Sequence, residues 1–344
     1  MIVFRADGNS TLGLGHVMRC MTVAEAVRKA GDDACFVTCC PETFEIVFKK
    51  GFMAYSVGDS FTGLKPSKES LTAEIPELRE ILKKVGAKVL VCDSYSASED
   101  YFTGVNDLVK TAYIDDFGDA DFPVDFMINY NIFAKDTDYS GSYRLLTGPE
   151  YAPVRESFRE TKGPDSDGVK EILISSGGTD KFNLSYLIAD ELSLRFPEIT
   201  FNVVCGPFNS HKAELTDLGF ERKNVCIHVN VSDMASLMSR CDMAVSAAGS
   251  TMYELCTMGI PTVTFSFVDN QRRIAEGFGE AGAALLAGDY DTLGADALLK
   301  QILTESEKLI SDAELRIKVR ECAHGTVDGL GAVRLAETLN EVNG

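Results

Sequence analysis

Short apolar runs alternate with amphipathic stretches along this chain, and the alternation occurs twice. Ile2-Val-Phe4, the stretch 16–30, Ala34-Cys-Phe-Val37 and Lys88-Val-Leu-Val-Cys92 set the pattern in the first half. Residues 171–175, 200–204, 224–227, 242–246 and 261–264 repeat it in the second. Apolar runs of strand length separated by helical periodicity belong to parallel strands covered by helices on both faces. The expected fold is α/β, with two doubly wound Rossmann-like domains facing across a crevice. Residues 159–169 (RETKGPDSDGV) combine Gly163, Pro164, Gly168 and charges without apolar periodicity, as an exposed connection does. The domains are therefore placed at 1–160 and 161–344. The stretch from Leu293 to Asn343 reads as two or three helices, interrupted near His324-Gly325 and between Gly329 and Gly331, the last helix crossing back to the first domain.

Composition narrows the partners. Apolar residues make up 45% and charged residues 25% of 344, enough for sizeable cores. With 33 basic against 52 acidic residues the net charge is -19, which disfavours electrostatic binding to nucleic acid or anionic lipid. A phosphate ligand must be held by local dipoles and a few fixed donors. Several of the ten cysteines lie in apolar runs, among them Cys35, Cys92, Cys205 and Cys256, as buried free thiols do. The pair Cys39-Cys40 has no second cluster at ligand spacing, so no metal is expected. Met1 leads directly into a strand-like run, and no apolar stretch approaches the ~18 residues of a membrane span. The expected protein is cytoplasmic and monomeric, without stable membrane association.

Three turns carry candidate chemistry, because ligands of open α/β sheets gather beyond strand carboxyl ends. In the first, RADGNSTLGLGH (residues 5–16), Gly13 and Gly15 allow close backbone approach and His16 opens a helix. There the positive end of the helix dipole would keep the imidazole neutral and able to act as a base; the plain alternative is a surface or capping histidine. The second turn, ISSGGTD (174–180), offers Gly177, Gly178 and Thr179 to a pyrophosphate, or merely turns the chain into a helix capped by Asp180 or Asn183. In the third, AAGSTMYELCTMGIPT (247–262), Ser250 and Thr251 stand at a helix start with Glu254 one turn inside. Read one way this is a diphosphate cradle with a carboxylate for a ribose diol; read the other, a capping box.

The strings RADGNSTLGLGHVMRC, SSGGTD and AAGSTMYELCTMGIPTVTF, together with Cys92-Asp-Ser-Tyr95, Ile114-Asp-Asp116, Asn129-Tyr-Asn131, Ala134-Lys-Asp136 and Tyr151-Ala-Pro-Val-Arg155, make the chain recognisable. From residue 1 to about 280 it resembles the UDP-2,4-diacetamido-2,4,6-trideoxy-β-L-altropyranose hydrolases of pseudaminic acid biosynthesis. Its second-domain part is similar to the wider group of MurG-like GT-B glycosyltransferases. The resemblance implies a GT-B architecture and a UDP-sugar substrate, with water as the second reactant and no cofactor. It implies that Glu254 holds the ribose, that Ser250, Thr251 and the Gly177-Gly178 loop hold the diphosphate, and that backbone from Ile227 to Asn230 receives the uracil. It makes His16 the base for water and places Tyr95 near the sugar.

Around these, Arg5, with Asp7 and Asp93, is a candidate substrate contact, and Asp7, Asp93, Asp115 and Asp116 are candidate supports for His16, water or a substrate amide, or else solvated turn residues. Asn129 and Asn131 are candidates for the acetamido groups, with Lys135 nearby as a further substrate contact. Gln271 matches a position that contacts sugar or phosphate in GT-B enzymes, although a cap by Asp269 or Asn270 explains that run equally well. Loops 59–70 and 94–101 are where sugar selectivity should reside, and 58–66 reads as a glycine-hinged lid or as a plain connection. His211, His228 and His324 have no partner motif. A glycosyltransferase and a non-catalytic nucleotide-sugar-binding protein are the rival readings.

Overall fold

The structure, a computed structural model, describes residues 1–9, 12–58, 66–163, 168–206 and 208–343. They divide into two compact units, Met1–Val154 with Leu330–Gly344, and Arg155–Gly329.

The first unit contains β1 (Ile2–Ala6), α1 (Gly15–Lys29), β2 (Ala34–Thr38), α2 (Pro41–Lys49), β3 (Met53–Ser56), α3 (Lys68–Val85), β4 (Val89–Asp93), α4 (Glu99–Thr103), β5 (Lys110–Ile114), β6 (Phe126–Asn129) and β7 (Arg144–Thr147). The second contains α5 (Glu156–Glu160), β8 (Glu171–Ser175), α6 (Leu184–Arg195), β9 (Thr200–Cys205), α7 (Lys212–Glu221), β10 (Val225–Val229), α8 (Met234–Met238), β11 (Met243–Ala247), α9 (Ser250–Thr257), β12 (Thr262–Ser266), α10 (Asp269–Glu280), β13 (Leu285–Asp289), α11 (Tyr290–Leu293), α12 (Ala295–Ser311) and α13 (Ala313–Thr326). The last helix, α14 (Gly331–Asn340), returns to the first unit and packs on α1.

Both sheets are parallel throughout. The first has seven strands in the order β3-β2-β1-β4-β5-β6-β7, the second six in the order β10-β9-β8-β11-β12-β13. Central strands such as β1, β4 and β11 are buried at every position. That is the burial their unbroken apolar runs demand. Order reverses between β1 and β4 in one sheet and between β8 and β11 in the other, so the loops leaving these four strands stand where open α/β sheets gather ligands.

The C-terminal reading needs one correction. His324 and Gly325 lie inside the last turn of α13, which runs to Thr326, so no break falls there; the expected break before Gly331 is present, with Gly329 at φ +73°. A glycine near a helix end is tolerated when the surrounding packing supplies the cost.

Candidate functional site

In the first unit the loop leaving β1 folds back on itself before entering α1. Asn9 Oδ1 accepts from Leu12 N at 2.8 Å, and Gly13 N donates to Asn9 O at 2.9 Å. Gly13 sits at φ +77°, a conformation that side chains disfavour. The hairpin delivers His16 to the first turn of α1, beside the end of β4. His16 Nδ1 lies 2.6 Å from Asp93 Oδ1, so a carboxylate, in addition to the helix terminus, addresses the imidazole.

Arg19 lies three residues further along α1, on the same face as His16. Its Nε and Nη2 reach Asp93 Oδ2 and Oδ1, both at 2.6 Å, and its Nη1 and Nη2 reach Asp116 Oδ1 at 2.6 Å and Oδ2 at 2.9 Å. Tyr95 OH donates to Asp116 Oδ2 at 2.7 Å, and the Tyr95 ring stands edge-on to His16 with centroids 4.6 Å apart. Burial pushes the Asp93 carboxyl up, but Arg19 and then His16 outweigh it and hold the group well below the usual carboxylate range. Burial, reinforced by Asp116, pushes the Tyr95 phenol up, so it stays protonated. His16, Asp93 and Tyr95 line a small pocket with Asp7, Ser94 and Ser96.

The other first-unit candidates are placed differently. Arg5 is fully buried: Nε and Nη2 grip Glu74 at 2.6 and 2.8 Å, and Nη1 holds Asp7 Oδ2 at 2.6 Å. It is an interior strut for Asp7, which corrects its expected place at the ligand. Asp7 Oδ1 accepts from Thr38 Oγ1 and Cys39 N, so its carboxylate, although within 4.8 Å of the Cys39 and Cys40 thiols, is already committed. Asp115 accepts from Phe117 N, Gly118 N and Tyr139 OH, and Asn129 from Asn131 N. Asn131 is buried and donates to Asp116 O at 3.2 Å. These groups shape the loop that carries Asp116. Lys135 pairs with Glu150 at 2.9 Å, and Gly15 is exposed. Of the expected lid and selectivity loop, residues 59–65 lie outside the described residues; Ser96 Oγ donates to Pro66 O at its edge.

In the second unit, β8 and β11 are neighbours, which brings the loops at Gly177 and Gly249 to one sheet position. Gly177 (φ +82°), Gly178 and Thr179 are exposed. A Cβ on Gly206, after β9, would stand 2.6 Å from the Gly178 backbone, so these two loops touch. Asp180 caps α6, accepting from Leu184 N at 2.9 Å and Ser185 N at 3.1 Å. Asn230 follows β10 at φ +51°. Gly249, extended at φ −120° and ψ −159°, caps α9, whose first residue is the exposed Ser250, with Thr251 next. The capping-box reading fails here: Glu254 is turned to Arg155 Nη2, at 2.9 Å, and away from the helix amides. Burial raises the Glu254 carboxyl above the usual range against the pull of Arg155. Gln271, in the first turn of α10, points its amide toward Gly249, and its Oε1 is buried without a partner among the described residues. Val268 precedes that helix in the cap position. His211 pairs loosely with Glu214, His228 bonds Asn202, and His324 packs under Gly259.

Four side chains were given no role from the sequence: Arg19, Glu74, Tyr130, which accepts from Arg19 Nη1 at 2.7 Å, and Arg155. Arg19 carried a signal in its three-residue spacing from His16.

Two parallel-sheet units, each with its strand order reversing at a switch point, define a GT-B-type fold. Acinetobacter baumannii MurG shares it over 99% of both chains, with a TM-score of 0.70 at 17% identity. Residues 172–320 match the Glycosyltransferase family 28 C-terminal domain. Among named proteins, the Bacillus subtilis spore coat polysaccharide biosynthesis protein SpsG is 23% identical over 98% of this chain and 97% of its own. The Campylobacter jejuni UDP-2,4-diacetamido-2,4,6-trideoxy-beta-L-altropyranose hydrolase is 26% identical over 82% of this chain and 97% of its own. An uncharacterized Methanocaldococcus jannaschii protein, MJ1062, is 26% identical over 79% of this chain, which spans 56% of that protein's length. Among the described residues, no helix is long and apolar enough to cross a membrane.

Proposed function

We propose that this protein hydrolyses a UDP-linked 2,4-diacetamido-2,4,6-trideoxy sugar to UDP and the free sugar, by inverting cleavage at the anomeric carbon. The observation that carries the reading is the 2.6 Å contact between His16 Nδ1 and Asp93. An ionised carboxylate only accepts, so Nδ1 carries the proton and Nε2 offers its lone pair to water. As the water oxygen bonds to C1, its proton passes to Nε2, and the bond from C1 to the UDP oxygen breaks with its electron pair leaving on UDP. Tyr95 walls the imidazole. The diphosphate leaving group takes up its charge against backbone N–H groups at Gly178 and Ser250, which removes the need for the protonating acid of a glycosidase. No metal is required for that step, and chelator-treated enzyme should turn over normally. Glu254 receives the ribose diol, Asn230 and its neighbours the uracil, with Thr179, Thr251 and Gln271 completing the cradle. The name of the Campylobacter jejuni relative supports the substrate.

The match of the second unit to glycosyltransferase family 28 favours transfer as the alternative. Incubation with a panel of UDP-2,4-diacetamido sugars, followed by NMR of the anomeric proton, separates the two. Free, inverted sugar without any acceptor supports hydrolysis; inertness until an acceptor is added supports transfer. His16→Asn should lower turnover roughly 100-fold or more with UDP affinity unchanged, and full turnover by that variant removes His16 from the reaction.

A further inference from the structure

We propose that Arg19 is the positioning residue that fixes the tautomer of His16 and the place of Tyr95, by clamping the two carboxylates that hold them. This rests on the reading of His16 as the base for water. A guanidinium has five N–H donors, and here each has its own acceptor. Nε–H goes to Asp93 Oδ2, the two Nη2 protons to Asp93 Oδ1 and Asp116 Oδ2, and the two Nη1 protons to Asp116 Oδ1 and Tyr130 OH.

The count decides what His16 can do. Arg19 Nη2 also lies 3.1 Å from His16 Nδ1, yet both of its protons are committed to carboxylates, so Nδ1 has no donor to accept from and must itself donate to Asp93. Asp93 faces His16 from the end of β4, Arg19 from α1 itself, and Asp116 and Tyr130 stand behind Arg19 from the loops after β5 and β6. Cys20 Sγ, 3.5 Å from Asp93 Oδ2, completes the shell. One cation thus serves two carboxylates, the buried Asp93 and the partly exposed Asp116. Without it, Asp93 either takes a proton and donates to Nδ1, moving the imidazole proton to Nε2 and abolishing the base, or rotates away. Asp116 then loses the anchor that aligns Tyr95. Lysine, a compact charge with three rotatable donors, cannot meet five acceptors in one plane.

The test uses the full chain. In Arg19→Ala, kcat should fall roughly 100-fold with KM within about threefold. Added guanidinium should restore part of the rate, Arg19→Lys should not, and UDP affinity, a property of the other unit, should be retained in both variants. Independently of turnover, 15N spectra of the imidazole, assigned by comparison with His16→Asn, should show the Nδ1–H tautomer in the unaltered protein and its loss in both Arg19 variants. An unchanged tautomer in either variant, or a loss confined to KM, overturns the role of Arg19. If the unaltered protein hydrolyses no UDP-sugar, the functional reading falls while the tautomer measurement still decides the inference.

Discussion

Arg5 provides the sharpest test of whether the first turn is built as described, because its expected and observed places predict opposite phenotypes. The informative perturbation is Glu74→Gln. Arg5 is fully buried and Glu74 nearly so, and the pair is joined by two short hydrogen bonds, with Tyr101 OH a third donor to Glu74 at 3.1 Å. Removing one partner of a buried ion pair costs about 3–5 kcal/mol, because the other charge stays desolvated. Glutamine keeps one acceptor oxygen and Asp7 still faces Arg5, which puts this change at the low end, about 3 kcal/mol. For a unit of this size that lowers the melting temperature by about 6–12 °C. Calorimetry should show the loss in one transition, that of the first unit. Activity per folded molecule should be unchanged, because Arg5 does not line the pocket. A loss under about 1 kcal/mol accompanied by a weakened KM would refute the strut and return Arg5 to the ligand.

Gly206→Ala should weaken UDP binding by roughly tenfold, about 1.4 kcal/mol, because its Cβ meets Gly178 backbone at 2.6 Å and must displace the loop; calorimetric titration with UDP unchanged from the parent protein would count against the Gly178 loop as a diphosphate contact. Affinity for a UDP-sugar should fall on acidification earlier than an ordinary glutamate would dictate, since the largely desolvated Glu254 carboxyl is raised above 4.5 and takes up its proton at higher pH. Glu254→Gln should bind more weakly with no such dependence, and a pH-independent affinity down to 4.5 in the parent protein speaks against a ribose contact through the carboxylate. The shift at Asp7 has the opposite sign, although acid again weakens the protein. Burial opposes its charge, but Arg5 and the Thr38 hydroxyl hold its folded value below the unfolded 3.8, so this contribution is present at neutral pH and is lost as pH drops through the range below 3.8. Acid titration of the first unit's melting temperature checks the sign.

Eight strands were legible because parallel strands buried on both faces leave unbroken apolar runs; β3, β5, β6, β7 and β13, and the order of strands in either sheet, were not read from the sequence. The turns were legible because glycines and hydroxyls cluster where a strand meets a helix. The partners of the site were not. Arg19 reads as an ordinary helix cation until the strand carrying Asp93 is placed beside it, and no local rule pairs residues 74 positions apart. Glu74 hides in a charged helix. Yet it shares a face with Leu71, Leu78 and Leu82, the buried stripe of α3, and a carboxylate on such a stripe is itself a signal that a buried cation waits opposite. The capping-box reading of Ser250 and Glu254 failed for a related reason: spacing along one helix cannot show that Arg155, 99 residues earlier, claims the carboxylate.

The return of α14 to the first unit bears on how the protein is made. Leu335, Ala336 and Leu339 are buried there, Arg334 donates to Glu150 O, and Gly331 lies so close to Ala152 O that no side chain fits. These residues are synthesised after the whole of the intervening unit, Arg155–Gly329. At roughly 5–20 residues per second, the ribosome spends on the order of 10 s or more on the intervening unit before α1 can receive its cover. The first unit is therefore completed only after the second has been made, and a chain stalled before residue 330 leaves α1 without the helix that packs on it.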